Sequence, residues 1–338
     1  MKLEQKSPKN HGISLLRFIL AFMVVLDHFY EQKKQNKILH ILYYHIPTFF
    51  LLSFFYTHNS FVPFKIMKIK LRFERIIIPY VCWSIISWVL FNIYFYIFKK
   101  ECSHSVKELL YNFLNAHVFI PALWFQNIII LTTLIFSIVI LTFENDYLLI
   151  FQIIMILSYV FQYSGINYHF FRNHFHHFYY TTYGRLVETL PNSISGFFIA
   201  ASNIHNKLRI RKTKTVIISL FVLLLASGSQ FDKKLRGFQY AGIRLNIAAI
   251  CIFFIFFYVF LDKIINKRII KFIDFLTHYT AGIYYSHYLV GRSYFVNFIL
   301  GKKIKTFFGT AIIYLFSYIL CFFLDILIGK TKLKHLIK

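Results

Sequence analysis

The stretch GISLLRFILAFMVVLDHFYEQ, residues 12–32, decides the fold. It is apolar over the roughly 20 residues a helix needs to cross a bilayer, yet it carries Arg17, Asp27 and His28. An ionisable side chain at membrane depth costs a few kcal/mol, so each needs a reason. Arg17 and His28 are eleven residues apart. At about 100° per residue that is three turns plus roughly 20°, so both lie on one helix face, about 16 Å apart along the axis. Asp27 points about 100° away from His28. Glu31 lies one turn further on and is placed to orient the His28 ring. One face thus presents a cation near one end and an imidazole near the other, which suits a long anionic substrate. On spacing alone a plainer account stands level with this: Arg17 snorkels to the headgroups and His28 is interfacial.

Outward from this stretch the chain keeps the same character. Of its 338 residues, 58% are hydrophobic, 21% aromatic and only 15% charged, where a soluble domain carries about a quarter charged. That excludes an ordinary soluble protein and a disordered one. The 38 Lys and Arg against 13 Asp and Glu give a formal charge of +25. The basic residues lie mostly between apolar segments, so the charge reads as positive-inside anchoring and not as nucleic-acid binding. Four scattered cysteines without a CxxC pair point to neither a disulfide framework nor a zinc site. Residues 12–32 lack a small-residue cleavage site and read as a first span, not a cleaved signal peptide.

Apolar runs of spanning length fall near 13–30, 39–57, 76–98, 123–142, 147–163, 183–202, 214–229, 243–261, 270–291 and 306–328. Residues 109–122 read as a further interfacial or re-entrant piece. The runs are continuously apolar, not alternating, which disfavours a β-barrel. The expected fold is therefore all-α: one domain over 1–338, a polytopic bundle of about ten transmembrane helices. Ten spans put both termini on one side. That side collects Lys2, Lys6 and Lys9, the Lys65–Arg75 loop, the Lys207–Lys214 loop, the Lys263–Lys271 loop and the Lys330–Lys338 tail. The bias places both termini in the cytoplasm; loop 231–244, with Lys233, Lys234, Arg236 and Arg244, dissents.

A second feature is FKIMKIKLRFERIIIPY, residues 64–80. As a helix it aligns Lys65, Lys68, Arg72 and Arg75 in one basic stripe. Lys65 and Lys68 read as anchors to anionic lipid. Arg72 and Arg75 enter the membrane with the third span and can grip phosphates bidentately, as Lys cannot; the anchor reading stands nearly level for this pair.

With these residues the sequence resembles acyltransferase family 3, the integral-membrane O-acyltransferases. Arg17 and His28 fit that family's R-x10-H signature, and Arg72 and Arg75 its RxxR signature, followed by IIIPYVCW (76–83). IPTFFLLSFF (46–55), PALWFQNIII (121–130), LPNSISGFF (190–198) and TAGIYYSH (280–287) resemble further family elements in the family's order. The resemblance covers nearly the whole chain. Departures are Phe54, where the family has glycine after Ser53, and Gln126 and Asn127, where apolar residues are common. The stretch after the tenth span is too short for the SGNH-type esterase domain many members carry. A stand-alone form is expected, needing a partner protein if the family's two-step route applies.

The resemblance implies acyl transfer, usually of acetyl, from cytoplasmic acyl-CoA to a hydroxyl of a glycan or lipid-linked glycan in a bacterial inner membrane. The expected acceptor is a surface polysaccharide such as lipopolysaccharide O-antigen. Acetyl-CoA would be a co-substrate; no permanently bound cofactor and no metal are expected. The partners are acetyl-CoA, the glycan acceptor and membrane lipid, with no nucleic acid. Arg17, Arg72 and Arg75 would hold the acyl-CoA. His28 would act either as general base on the sugar hydroxyl or as the nucleophile that first takes the acyl group. Tyr284 and His287 are the family-like candidates for oxyanion donors, and Glu31 and Glu188 are supporting candidates.

The remaining marks weigh less. Four histidines in YHFFRNHFHHF, residues 168–178, read as a loop meeting headgroups or acceptor glycan more readily than as a metal site. Glu188 is one turn from Arg185 and reads as its ion-pair partner or as an acceptor-binding residue. Trp83 and Trp124 lie near span starts, where interfacial anchoring is the default. No Walker A, Rossmann or G-x-S-x-G pattern occurs. The rival reading is a polytopic transporter or flippase of lipid-linked glycans, which acyl-CoA binding would exclude. A polysaccharide polymerase would want a large periplasmic loop, which the sequence lacks.

Overall fold

The computed structural model describes residues 10–29, 44–99, 105–115, 123–163, 182–228, 241–259, 266–292, 306–329 and 331. The described residues contain helices and no strand, as the continuous apolar runs predict. In order the helices are α1 (His11–Phe29), α2 (His45–Phe61), α3 (Ile66–Lys99), α4 (Val106–Asn115), α5 (Trp124–Thr142), α6 (Tyr147–Tyr163) and α7 (Thr182–Ala201). They continue with α8 (Ile204–Lys207), a 3-10 turn at Leu208–Arg211, α9 (Lys212–Gly228), α10 (Ala241–Val259), α11 (Lys267–Thr277), α12 (Thr280–Arg292) and α13 (Phe307–Ile328).

Polar residues set the helix starts. The Asn10 side chain accepts from the Ile13 amide at 3.0 Å and donates to the Phe257 carbonyl at 3.1 Å, capping α1 and tying it to α10. Ser105 and Glu108 form a reciprocal capping box on α4, at 2.9 and 3.2 Å. Asn266 caps α11 and Thr306 caps α13.

Among the described residues four helices are long and apolar enough to cross a membrane: His11–Phe29, Ile66–Leu90, Trp124–Thr142 and Phe307–Ile328. Tyr147–Gln162 and Ile243–Val259 are shorter apolar helices. Segment 270–291, expected as one span, is two helices parted at His278 and Tyr279. The first, KRIIKFIDFLT, is amphipathic, with exposed Phe272 and Phe275 beside Lys267, Arg268 and Lys271. That is the pattern of a helix lying in the interface plane. The piece within 109–122 is described as far as Asn115, where it belongs to amphipathic α4.

α1 is the hub and packs against α2, α10, α11, α12 and α13. The most extensive helix pair is α2 with α7. Gly196 makes it so: a Cβ there would stand 2.0 Å from the Leu51 carbonyl oxygen. An aromatic core fills the space beside this pair. Phe136 meets Phe151 at 4.3 Å, Phe54 at 4.6 Å and Phe197 at 5.4 Å between ring centres. Asn246 on α10 donates to Ser195 Oγ on α7 at 2.9 Å and to the Tyr159 hydroxyl on α6, a polar tie within the bundle.

Candidate functional site

α1 and α2 run antiparallel, and their residues pair across at two levels. Arg17 interacts electrostatically with Tyr56, and His28 with His45. Each pair of positions on one helix, 17 to 28 and 45 to 56, is eleven residues apart, so the two levels are about 16 Å apart on both helices.

At the first level Arg17 and Tyr56 are both exposed side chains. Near this level α3 brings Arg72. Its Nη2 donates to Ser53 Oγ at 3.1 Å and its Nε to Thr133 Oγ1 at 3.3 Å. The guanidinium sits 5.1 Å from the Phe54 ring centre, within cation–π range. The departure from the family pattern at residue 54 is therefore repacked: the fully buried Phe54 ring packs on Phe136 and supports Arg72, while Gly196 supplies the close helix approach. Arg75, one turn on, is exposed. The structure thus separates the pair, holding Arg72 between α2 and α5 and leaving Arg75 accessible.

At the second level four helices converge on His28. The charged and titratable groups that act on it are His287 on α12, its neighbour Asp27, His45 on α2 and Arg185 on α7. The rings of His28 and His287 are 5.3 Å apart between centres and inclined at 32°. Tyr288 stands edge-on to His28 at 5.9 Å. Gly291 permits this approach of α1 to α12, because a Cβ there would lie 2.2 Å from the Phe29 ring. The Arg185 guanidinium lies 4.0 Å from the Trp124 ring centre. It feels Glu188, Tyr284 and Asp27. Arg185 and Glu188 make no direct ion pair, and among the described residues no protein group hydrogen-bonds the Arg185 side chain. A stacked guanidinium beside an imidazole is an arrangement that can receive an oxygen-rich group.

His287 itself is fully buried. Its Nδ1 donates to the Ile283 carbonyl at 3.0 Å. Such a bond fixes the proton on Nδ1 and leaves Nε2 as an acceptor in the neutral ring. That geometry is opposite to the oxyanion donor expected of His287. Tyr284 packs on Phe125 at 5.3 Å and is electrostatically coupled to Arg185. Trp83 and Trp124 are buried, and anchoring does not describe them. Trp83 stacks on Tyr285 at 6.3 Å and Trp124 underlies Arg185. Gln126 is buried and donates to the Tyr285 hydroxyl. Glu31 and the four histidines of residues 168–178 lie outside the described residues. Among the described residues no cluster of His, Cys, Asp and Glu is suited to a metal ion.

Sequence reasoning passed over His45 and the stacking of Arg185 on Trp124. The signal for His45 was in the chain: it stands eleven residues before Tyr56, the spacing of Arg17 and His28. Ser53 and Thr133, which hold Arg72, carried no signal, being ordinary small hydroxyls in apolar runs.

No curated protein and no solved structure matches the chain. A family model described as an acyltransferase domain, that of acyltransferase family 3, matches residues 10–326. The match runs from the cap of α1 into the end of α13 and takes in both levels of the site, and the chain belongs to this family of membrane acyltransferases.

Proposed function

We propose that the protein is a bacterial inner-membrane O-acetyltransferase. It moves an acetyl group from cytoplasmic acetyl-CoA to a hydroxyl of a surface polysaccharide or its lipid-linked precursor, of which O-antigen is the favoured case. The reading keeps about ten spans with both termini in the cytoplasm, the arrangement favoured by the distribution of Lys and Arg. Acetyl-CoA enters at the level of Arg17 and Arg72, with Arg75 accessible beside them, and these cations hold its phosphates and carbonyls. Its thioester reaches His28, which acts as general base or as nucleophile.

The observation that carries this reading is the convergence on His28 of Asp27, His45, Arg185 and His287 from four helices, about 16 Å from Arg17 along the same helix face. Glu188 and Tyr284 belong to the surround of Arg185 and support the acceptor or the tetrahedral intermediate.

The test uses membranes from cells expressing wild type or His28→Ala, given acetyl-labelled CoA. Alkali-labile label in the glycan fraction of the wild type alone is the expected result. Equal label with His28→Ala would remove His28 from the mechanism. No label from either, together with failure of the purified protein to bind acetyl-CoA, would overturn the reading in favour of a transporter of lipid-linked glycans.

A further inference from the structure

We propose that His287 is a positioning residue for His28: its Nε2 accepts the N–H of the His28 ring and thereby presents the other nitrogen of His28, unprotonated, to the reactants. The inference rests on the acyltransfer reading above and assigns the device that makes His28 a base.

The argument begins with a tautomer. A carbonyl oxygen only accepts, so the 3.0 Å contact of His287 Nδ1 with the Ile283 carbonyl requires the proton on Nδ1. Nε2 of the neutral ring is then a bare lone pair. It is fully buried, and among the described residues no group hydrogen-bonds it. A buried acceptor without a donor is unfavourable, and one that persists in a site asks for a partner. Among the described residues three rings lie against His287. Phe29, edge-on at 6.3 Å, has no N–H or O–H to give. Tyr284, at 6.1 Å, is coupled to Arg185. His28, at 5.3 Å, is the nearest and carries a ring N–H. The two ring planes are inclined at 32°, and no hydrogen bond joins them in this structure, so the bond forms on a reorientation of the His28 ring that brings its N–H to Nε2.

The consequence is chemical. Left alone, a neutral imidazole exchanges its proton between two nitrogens, and half the arrangements are useless to a base. An acceptor on one side fixes which nitrogen is free, as a buried orienting group does for histidine in hydrolytic triads. In the general-base form of the reaction, the acceptor hydroxyl gives its proton to the free nitrogen of His28 as its oxygen bonds to the acyl carbon. The intermediate then breaks its C–S bond, and the proton passes from His28 to the departing thiolate. While His28 is an imidazolium it donates to His287 Nε2, which a neutral His287 receives without any change in its own protonation. The groups facing His28 from the packed elements are Asp27 on α1, His45 on α2, Arg185 on α7 and His287 on α12. Of these, His287 has its ring 5.3 Å from that of His28 between centres and one nitrogen already committed to the Ile283 carbonyl.

The test compares His287→Leu with His287→Gln in the full chain, by acyl transfer from labelled acetyl-CoA and by 15N spectra of histidine-labelled protein, with His28 assigned by difference from His28→Ala. Both side chains fill the space, but only the Gln amide oxygen can accept near the position of Nε2. The expected result is a fall in kcat on the order of 100-fold for Leu with little change in KM for acetyl-CoA, and recovery by Gln to within about tenfold of wild type. The His28 signal should show one tautomer in wild type and Gln and a mixture in Leu. Equal rates for Leu and Gln, or an unchanged His28 tautomer in Leu, would overturn the proposal. If the wild type transfers no acetyl, the acyltransfer reading fails, and the tautomer comparison still decides whether His287 holds the His28 N–H.

Discussion

Substituting alanine for Gly196 should do more damage than the same change at Gly291, where a Cβ meets only side-chain atoms of Phe29. The new carbon would stand 2.0 Å from the Leu51 carbonyl oxygen, 2.8 Å from its carbon and 3.0 Å from its Cα. All three are backbone atoms, so no rotamer change relieves the clash. Ordinary contact begins at 3.4 Å, so α2 and α7 must part by about 1.4 Å, the difference between 3.4 and 2.0 Å. Overpacking of that kind costs about 1–3 kcal/mol, read as an apparent Tm lower by several degrees. The effect on rate should exceed the effect on stability. α2 carries His45 beside His28 and Ser53 under Arg72, and a displacement near 1 Å in a catalytic arrangement costs roughly 100-fold. The measurement is a thermal scan in detergent at one fixed scan rate, with acyl transfer assayed well below the transition. The exposed Leu224→Ala on α9 is the control. A Gly196→Ala protein that matches that control in both Tm and rate would refute the account of the α2–α7 contact.

Two further outcomes are expected. Phe54→Gly restores the glycine of the family pattern, yet it should destabilise by about 3–5 kcal/mol, because it empties the space against Phe136 and beneath Arg72; a neutral effect on the thermal transition would show that the ring is not part of the core. Arg72→Lys should raise the KM for acetyl-CoA by about tenfold, because an ammonium cannot span Ser53 and Thr133 as the guanidinium does; an unchanged KM would mean that Arg72 only ties α3 to α2 and α5.

Much of the fold was written in local features. The apolar length of residues 12–32 gives α1, and the 3.6-residue period puts Arg17 and His28 on one face before any packing is known. The helical reading of residues 66–75 holds for the same reason. Segment 270–291 misled because an average over hydropathy does not see arrangement. Lys267, Arg268, Lys271 and Asp274 interrupt apolar residues at helical spacing and make α11 amphipathic. The break after it is held from elsewhere, by the Tyr279 hydroxyl donating to Asp325 on α13 at 2.9 Å. The surround of His28 was illegible for a related reason. Asp27, His45, Arg185 and His287 are far from equivalent in sequence, and nothing local says that α2, α7 and α12 deliver them to one place. Two glycines carry that information sterically, Gly196 between α2 and α7 and Gly291 between α1 and α12, and a glycine in a sequence does not name the helix that approaches it.

The antiparallel pairing of α1 and α2 also explains why the chemistry can sit at membrane depth at all. A lone arginine or histidine there would be strongly disfavoured. Here the cost is spread over contacts that have other uses. Arg72 satisfies donors on Ser53 and Thr133, hydroxyls of the kind that tie helices together in lipid. His287 satisfies Nδ1 on its own helix's carbonyl, leaving one unsatisfied atom, Nε2, beside His28. Arg185 gains from the Trp124 face while, among the described residues, no group hydrogen-bonds its N–H donors. In each case the side chain is anchored by part of its bonding capacity and the remainder is left for a ligand or a reacting ring. Anchoring through one part and reacting through another keeps a polar group both stable in the bundle and ready, and it makes the unsatisfied atoms, more than the charges, the guide to where substrate would bind.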